Sequence, residues 1–129
     1  MMSDLGDVTM IQVENAIIES TQLGREDHGI FTCYLNLKFS SLGQSFGGYG
    51  FDRYDKEKKC RVDAGYGIEF IARLLTVIGA ESWEKLPGKL VRIRRSNSVQ
   101  ITAIGNILED NWFIADEFLA ALKTEGRIK

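Results

Sequence analysis

The chain has 129 residues, 44% of them hydrophobic and 26% charged, with a net charge of −2 and a pI near 5.4. That length suits a single domain over residues 1–129, with a core large enough to fold without disulfides or a structural metal. No run of about 18 apolar residues is present to cross a membrane, and the mild acidity argues against tight, sequence-blind DNA binding.

The N-terminal Met1-Met2-Ser3-Asp4-Leu5-Gly6-Asp7 is acidic and lacks the basic and apolar regions of a secretory signal. Cys33 and Cys60 are the only cysteines, and two thiols in an unexported chain are expected to stay reduced. From these a cytosolic protein is expected, of a bacterium or an infected one.

The first strand is expected over residues 8–20, with a β-bulge where the alternation slips between Asn15 and Ile18. Residues 21–29, from Thr21 to Gly29, read as a polar loop. The clearest strand follows: Phe31, Cys33, Leu35, Leu37 and Phe39 point one way, and Thr32, Tyr34, Asn36 and Lys38 the other. After a turn over 40–43, a third strand runs from about Gln44 to Asp52. Its aromatics Phe46, Tyr49 and Phe51 are separated by Gly47, Gly48 and Gly50. Glycine in a strand marks a bend or a close backbone approach. The spacing therefore implies sharp barrel curvature, an aromatic surface left open for a ligand, or both. Residues 53–61 mix Arg53, Lys56, Lys58, Lys59 and Arg61 with Asp52, Asp55, Glu57 and Asp63, the pattern of a solvated loop.

From residue 66 to 78 the period becomes helical, with Ile68, Ile71, Ala72, Leu75 and Ile78 on one face and Phe70, Leu74 and Val77 beside them. Pro87-Gly88 is a turn. Leu90 to Arg95 is a fourth strand, Val91 and Ile93 inward, Arg92 and Arg94 outward. A short loop at 96–98 leads to a fifth strand reaching about Leu108, with Val99, Ile101 and Ala103 inward. Residues 112–123 form an amphipathic C-terminal helix with Ile114, Phe118, Leu119 and Leu122 as its stripe.

This is an α+β chain. Three strands, a helix, then two strands is the order of an OB-fold, the small antiparallel Greek-key barrel that binds oligonucleotides and oligosaccharides; a helix-backed coiled sheet has the same order. Four segments carry a resemblance: Leu42–Gly50, Gly65–Ile71, Glu81–Lys89 and Ala103–Asn106. Across nearly its whole length the chain resembles a family of small uncharacterised phage and prophage proteins. The segment Ile68–Val91 is also similar to the matching part of phage single-strand-binding OB-folds. The chain ends in Lys123-Thr124-Glu125-Gly126-Arg127-Ile128-Lys129 rather than in the acidic tail that those binders often carry.

Signatures of catalysis are missing. There is no P-loop and no dinucleotide-binding glycine motif. His28 is the only histidine and reads as a loop residue. His28, Cys33 and Cys60 lack metal-site spacing, and the carboxylates of 52–63 are interleaved with lysines and arginines. No enzyme activity, cofactor or metal is expected. Binding residues are better marked. Single-strand binders pair a basic groove with aromatic platforms, and OB-folds use strands two and three with the loops between strands one–two and four–five. That rule selects Arg25, Tyr34, Lys38, Tyr49, Arg92, Arg94 and Arg95, with Phe46, Phe51 and His28 nearby; the phenylalanines are equally suited to fill the core. The expected partner is single-stranded nucleic acid or a nucleoprotein, as a replication or recombination accessory. The alternative is a protein-binding inhibitor of a host defence system, of the anti-CRISPR kind. A virion or assembly part is the third reading, with no long apolar edge or coiled coil to support it.

Overall fold

A computed structural model describes residues 11–40, 42–96 and 100–129. The expected first-strand residues 8–10, Ser41 of the first turn, and residues 97–99 of the last loop and strand lie outside the described residues. The elements are β1 (Ile11–Arg25), β2 (Phe31–Phe39), β3 (Leu42–Gly47), β4 (Asp52–Asp55), β5 (Cys60–Asp63), α1 (Gly67–Ile78), β6 (Leu90–Ser96), β7 (Gln100–Gly105), β8 (Trp112–Ile114) and α2 (Ala115–Thr124), with a 3₁₀ turn over Trp83–Lys85.

One antiparallel six-stranded sheet has the order β3-β2-β1-β6-β7-β8, and β4 and β5 form a separate hairpin. The first four neighbours make a Greek key, because β6 returns by the long connection through the hairpin and α1 to lie beside β1. The sheet is open, with no hydrogen-bonded closure among the described strands, but it is far from flat. Five strand spacings would hold β3 and β8 about 24 Å apart in a flat sheet. Instead, the Phe46 ring of β3 and the Phe113 ring of β8 lie 6.4 Å apart, edge to face. The sheet curls around its own core, and α1 and α2 fill the space inside.

Phe70 of α1 is the hub of that core. Its ring centroid lies 4.8 Å from Phe113, 5.2 Å from Phe51, 5.5 Å from Tyr49, 5.6 Å from Phe118 and 6.5 Å from Tyr66. The buried face of α1 is Phe70, Leu74, Val77 and Ile78. This corrects the helical face expected from periodicity: Ile68 is 87% exposed and Ala72 is also exposed. Two apolar faces overlap in this sequence, and the aromatic one wins because it has ring partners on three other segments.

Several boundaries also move. β1 continues to Arg25, so the expected loop 21–29 shrinks to the turn between Arg25 and Phe31. Its bulge falls between Ile18 and Ser20. β3 stops at Gly47, although the chain stays beside β2 through hydrogen bonds from the Gly48 N–H to the Cys33 carbonyl and from the Phe51 N–H to the Phe31 carbonyl. Gly47 has φ 133°, and a Cβ there would stand 2.1 Å from the Cys33 carbonyl oxygen. The glycine spacing thus serves backbone approach and curvature, while Phe46 and Phe51 are buried and Tyr49 packs against the core. The expected solvated loop at 53–61 is the β4–β5 hairpin, exposed along most of its length.

A second irregularity between Arg94 and Arg95 inserts Thr102 in β7. As a result Ile101 and Ile104 face the core, and Ala103, expected inward, is fully buried but on the opposite face, beside Arg94 and Ile114. β7 ends at Gly105 rather than near Leu108. Asn106 turns the chain: its side-chain oxygen accepts from the Leu108 and Glu109 N–H groups, both at 2.9 Å, and its amide donates to the Val77 carbonyl of α1 at 3.0 Å. Trp112–Ile114 is a strand, not the first turn of the last helix, because its outward–inward–outward alternation pairs it with β7. No helix of the described residues is long and apolar enough to cross a membrane.

Phe70→Ala is expected to cost about 3–5 kcal/mol, and Ile68→Ala to stay within about 0.5 kcal/mol of the parent. Urea unfolding of the two variants side by side checks the assignment of the α1 faces.

Candidate nucleic-acid interface on the outer sheet face

Directly paired residues in an antiparallel sheet share a face. The face turned away from the helices therefore carries Tyr34, Asn36 and Lys38 of β2. It also carries Ile11, Val13, Asn15 and Ile17 of β1, Leu90, Arg92 and Arg94 of β6, Ala103 and Gly105 of β7, and Trp112 and Ile114 of β8. Four of the seven selected residues meet here: Tyr34, Lys38, Arg92 and Arg94.

Trp112 organises one end of this face. Its indole lies on Gly105, where an added Cβ would come within 2.7 Å of the ring. The Arg92 and Arg94 guanidinium carbons stand 4.9 and 4.6 Å from the ring centroid, inside cation–π range. Arg92 is further held by donating from Nε to the Asn106 carbonyl at 2.8 Å and from Nη2 to the Glu109 carbonyl at 2.6 Å. Backbone carbonyls orient a guanidinium without neutralising it. Neither Arg92 nor Arg94 forms an ion pair among the described residues.

Across the middle of the face runs a polar ladder. The Ser45 hydroxyl donates to the Asn36 side-chain oxygen at 2.6 Å, and the Asn36 amide donates to the Ser20 hydroxyl at 2.9 Å. At the far end the half-exposed Tyr34 ring rests over Gly48, where a Cβ would meet it at 3.2 Å. From Tyr34 to Trp112 the path along the sheet is roughly 30 Å, from strand spacing and rise.

The other three selected residues lie elsewhere. Arg95 is 8% exposed and sits on the core-side face. It stacks 4.7 Å from the Phe39 centroid and donates from Nε to Glu14 Oε2 at 2.9 Å, with a second, shorter contact through Nη2. The adjacent Arg94 and Arg95 diverge because strand neighbours point to opposite faces. Tyr49 is packed against Phe46 and Phe70, and burial pushes its phenol upward. Arg25 pairs across from Phe31 on the core-side face at the open end of the sheet and reaches Asp52 at 3.7 Å. His28 is exposed in the β1–β2 turn and contacts Glu26 at 3.0 Å. Trp112 is the residue that sequence reasoning missed. Trp112-Phe113-Ile114 is apolar throughout and shows no alternation, so the local pattern held no signal for a strand folding back on Gly105.

Asp52 is committed to structure. It accepts from Arg61 Nη2 at 2.8 Å and from the Phe31 N–H at 3.1 Å. The Arg61 hydrogen bond is the main reason its carboxyl is held below the ordinary 3.8, despite an opposing cost of burial. No group of three His, Cys, Asp or Glu side chains able to hold a metal ion is assembled among the described residues. No protein-family model, curated protein or solved structure matches the chain.

Arg95→Ala is expected to lower stability by about 1–3 kcal/mol by stripping Glu14 of its partner, and Arg94→Ala to change it by less than about 0.5 kcal/mol; thermal or urea unfolding separates them. A folded-state pKa below the unfolded one means Asp52 stabilises at neutral pH and loses this contribution as pH falls from about 3.8 through the lowered value. Asp52→Asn is therefore expected to be less stable than the parent at pH 7 and to converge with it near the acid limit, as read by urea unfolding across the pH range.

Proposed function

We propose that this protein is a non-catalytic binding module that holds single-stranded nucleic acid, alone or within a nucleoprotein, along its outer sheet face. The observation that carries this reading is the Trp112 cluster: two guanidinium groups stacked on a fixed indole, without an ion pair among the described residues, on the sheet face that neither helix covers. Guanidinium planes stack on bases and also bind phosphates. Lys38 adds charge in the middle of the face and Tyr34 a ring at its end. The Greek-key order and the curl that joins β3 to β8 support the finer fold reading, a partly open OB-type barrel with an inserted hairpin and an added strand and helix. In that fold the face of strands two and three is the usual ligand surface, and Tyr34 and Lys38 occupy it here. A phage-type accessory to replication or recombination, working in the bacterial cytoplasm, is the role this chemistry fits best.

One observation favours a second reading. The same face exposes an aliphatic row on β1 and β6, with Val13 52% and Leu90 55% exposed and Ile11 and Ile17 beside them. Outward positions of an antiparallel sheet are ordinarily polar, and such a row suits a protein partner, as an inhibitor of a host defence system requires.

Fluorescence anisotropy with a labelled oligo-dT separates the readings. Binding is expected at about 50 mM salt and is expected to weaken steeply towards about 200 mM as counterions are released. Arg92→Ala with Arg94→Ala is expected to weaken binding and flatten the log–log salt slope by about 1.4, two single-strand phosphate contacts. Tyr34→Ala is expected to cost about 1–3 kcal/mol with the slope unchanged. A flat titration at low salt overturns the nucleic-acid reading and puts the aliphatic row ahead.

A further inference from the structure

The open end of the curled sheet holds a cavity that the outer-face reading does not use. It has a volume of about 440 Å³ and lies between the ends of β1 and β2, the β4–β5 hairpin and the start of α1. Small-molecule pockets span about 300–1,000 Å³ and favour barrel mouths. Its apolar wall is built from side chains that the core leaves partly uncovered: Leu23, Phe31 and Ile68, all exposed, around the buried ring of Phe51. Three large apolar groups converge there with no protein segment over them among the described residues.

The polar side of the cavity carries uncommitted donors. Arg25 stacks 6.0 Å from the Phe31 centroid and spends one nitrogen on the Gly29 carbonyl and on Asp52. Arg61 spends Nη2 on Asp52, and its buried Nε has no acceptor. A buried donor without an acceptor carries a desolvation cost that a ligand oxygen would relieve. The nearby acceptors are occupied: Asp52 Oδ1 takes Arg61 and the Phe31 N–H, Asp52 Oδ2 faces Arg25, and Asp63 at the rim accepts from the Gly65 N–H.

We propose that this cavity is a binding site for a small monocarboxylic acid with an apolar body. The carboxylate lies against Arg25 and Arg61, whose planar forks match its two oxygens. The body lies against Phe31, Leu23 and Ile68. Arg25, selected from sequence as a nucleic-acid contact, serves this site instead.

Calorimetric titration with octanoate, and with 1-octanol as the uncharged control of equal chain length, tests the proposal. Octanoate is expected to bind at least about tenfold more tightly than octanol. Arg25→Gln is expected to remove that preference. Ile68→Glu, at a position exposed enough to leave folding intact, is expected to weaken octanoate by about tenfold or more by placing a like charge at the mouth. Oligonucleotide affinity of Ile68→Glu is expected to stay at the parent value, because the outer face lies on the other side of the sheet. Equal affinity for octanoate and octanol, octanoate binding that ignores Ile68→Glu, or no octanoate binding up to about 10 mM overturns the proposal.

Discussion

Phe70 stands where four separate pieces of chain meet. The segment after β3 brings Tyr49 and Phe51, the start of α1 brings Tyr66, β8 brings Phe113, and α2 brings Phe118. A ring cluster of this kind is satisfied only when both ends of the sheet bend towards it. Each aromatic pair adds about 0.5–1.5 kcal/mol beyond the area it buries, and the same contacts set the curvature. Gly47 is the backbone counterpart, since the chain cannot pass that close to Cys33 with a side chain in place. The curl has two results. Its outer face is left bare of helices, and its open end is left partly unplugged.

Charge is sorted by what each arginine meets inside the molecule. Arg25, Arg61, Arg95 and Arg127 lie beside carboxylates, while Arg92 and Arg94 meet an indole and backbone carbonyls. A net charge of −2 therefore coexists with an outer face whose arginines are unneutralised. Overall acidity limits long-range attraction to any polyanion, whereas a local guanidinium acts over contact distance. Surface ion pairs contribute little to stability, so leaving Arg92 and Arg94 unpaired costs the fold little.

Legibility followed periodicity. The β2 alternation named Cys33, Leu35, Leu37 and Phe39 as core and put Tyr34 and Lys38 on the other face, as found, while Phe31 at the strand end is exposed and Thr32 is buried. Arg92 and Arg94 were outward by the same rule. The α1 and α2 segments were recognisable, but the α1 face was misassigned because Ile68 and Phe70 are both apolar and hydrophobicity alone does not rank them. Residues 21–25 and 53–61 were read as loops because polar residues dominate them, whereas strand pairing supplies backbone hydrogen bonds whatever the side chains are. Trp112 was lost to the helix that follows it, since a three-residue strand is too short to show a period.

The sequence by itself determined the α+β class, three strands before α1, two after it and a terminal helix, without the β4–β5 hairpin or β8, and the alternation that separates core from surface in β2 and β6. These are local properties, carried by neighbours a few residues apart. Tertiary structure alone decided which surface residues stand together. The pairing of β6 with β1 brings Glu14 to the inward Arg95, beside an outward Arg94. Gly105 admits an indole from another strand. Pairing across from Phe31 puts Arg25 on the core-side face, opposite to the one that Arg92 occupies. Each of these depends on strands paired across long stretches of chain, and register between distant strands leaves no trace in the local pattern of residues.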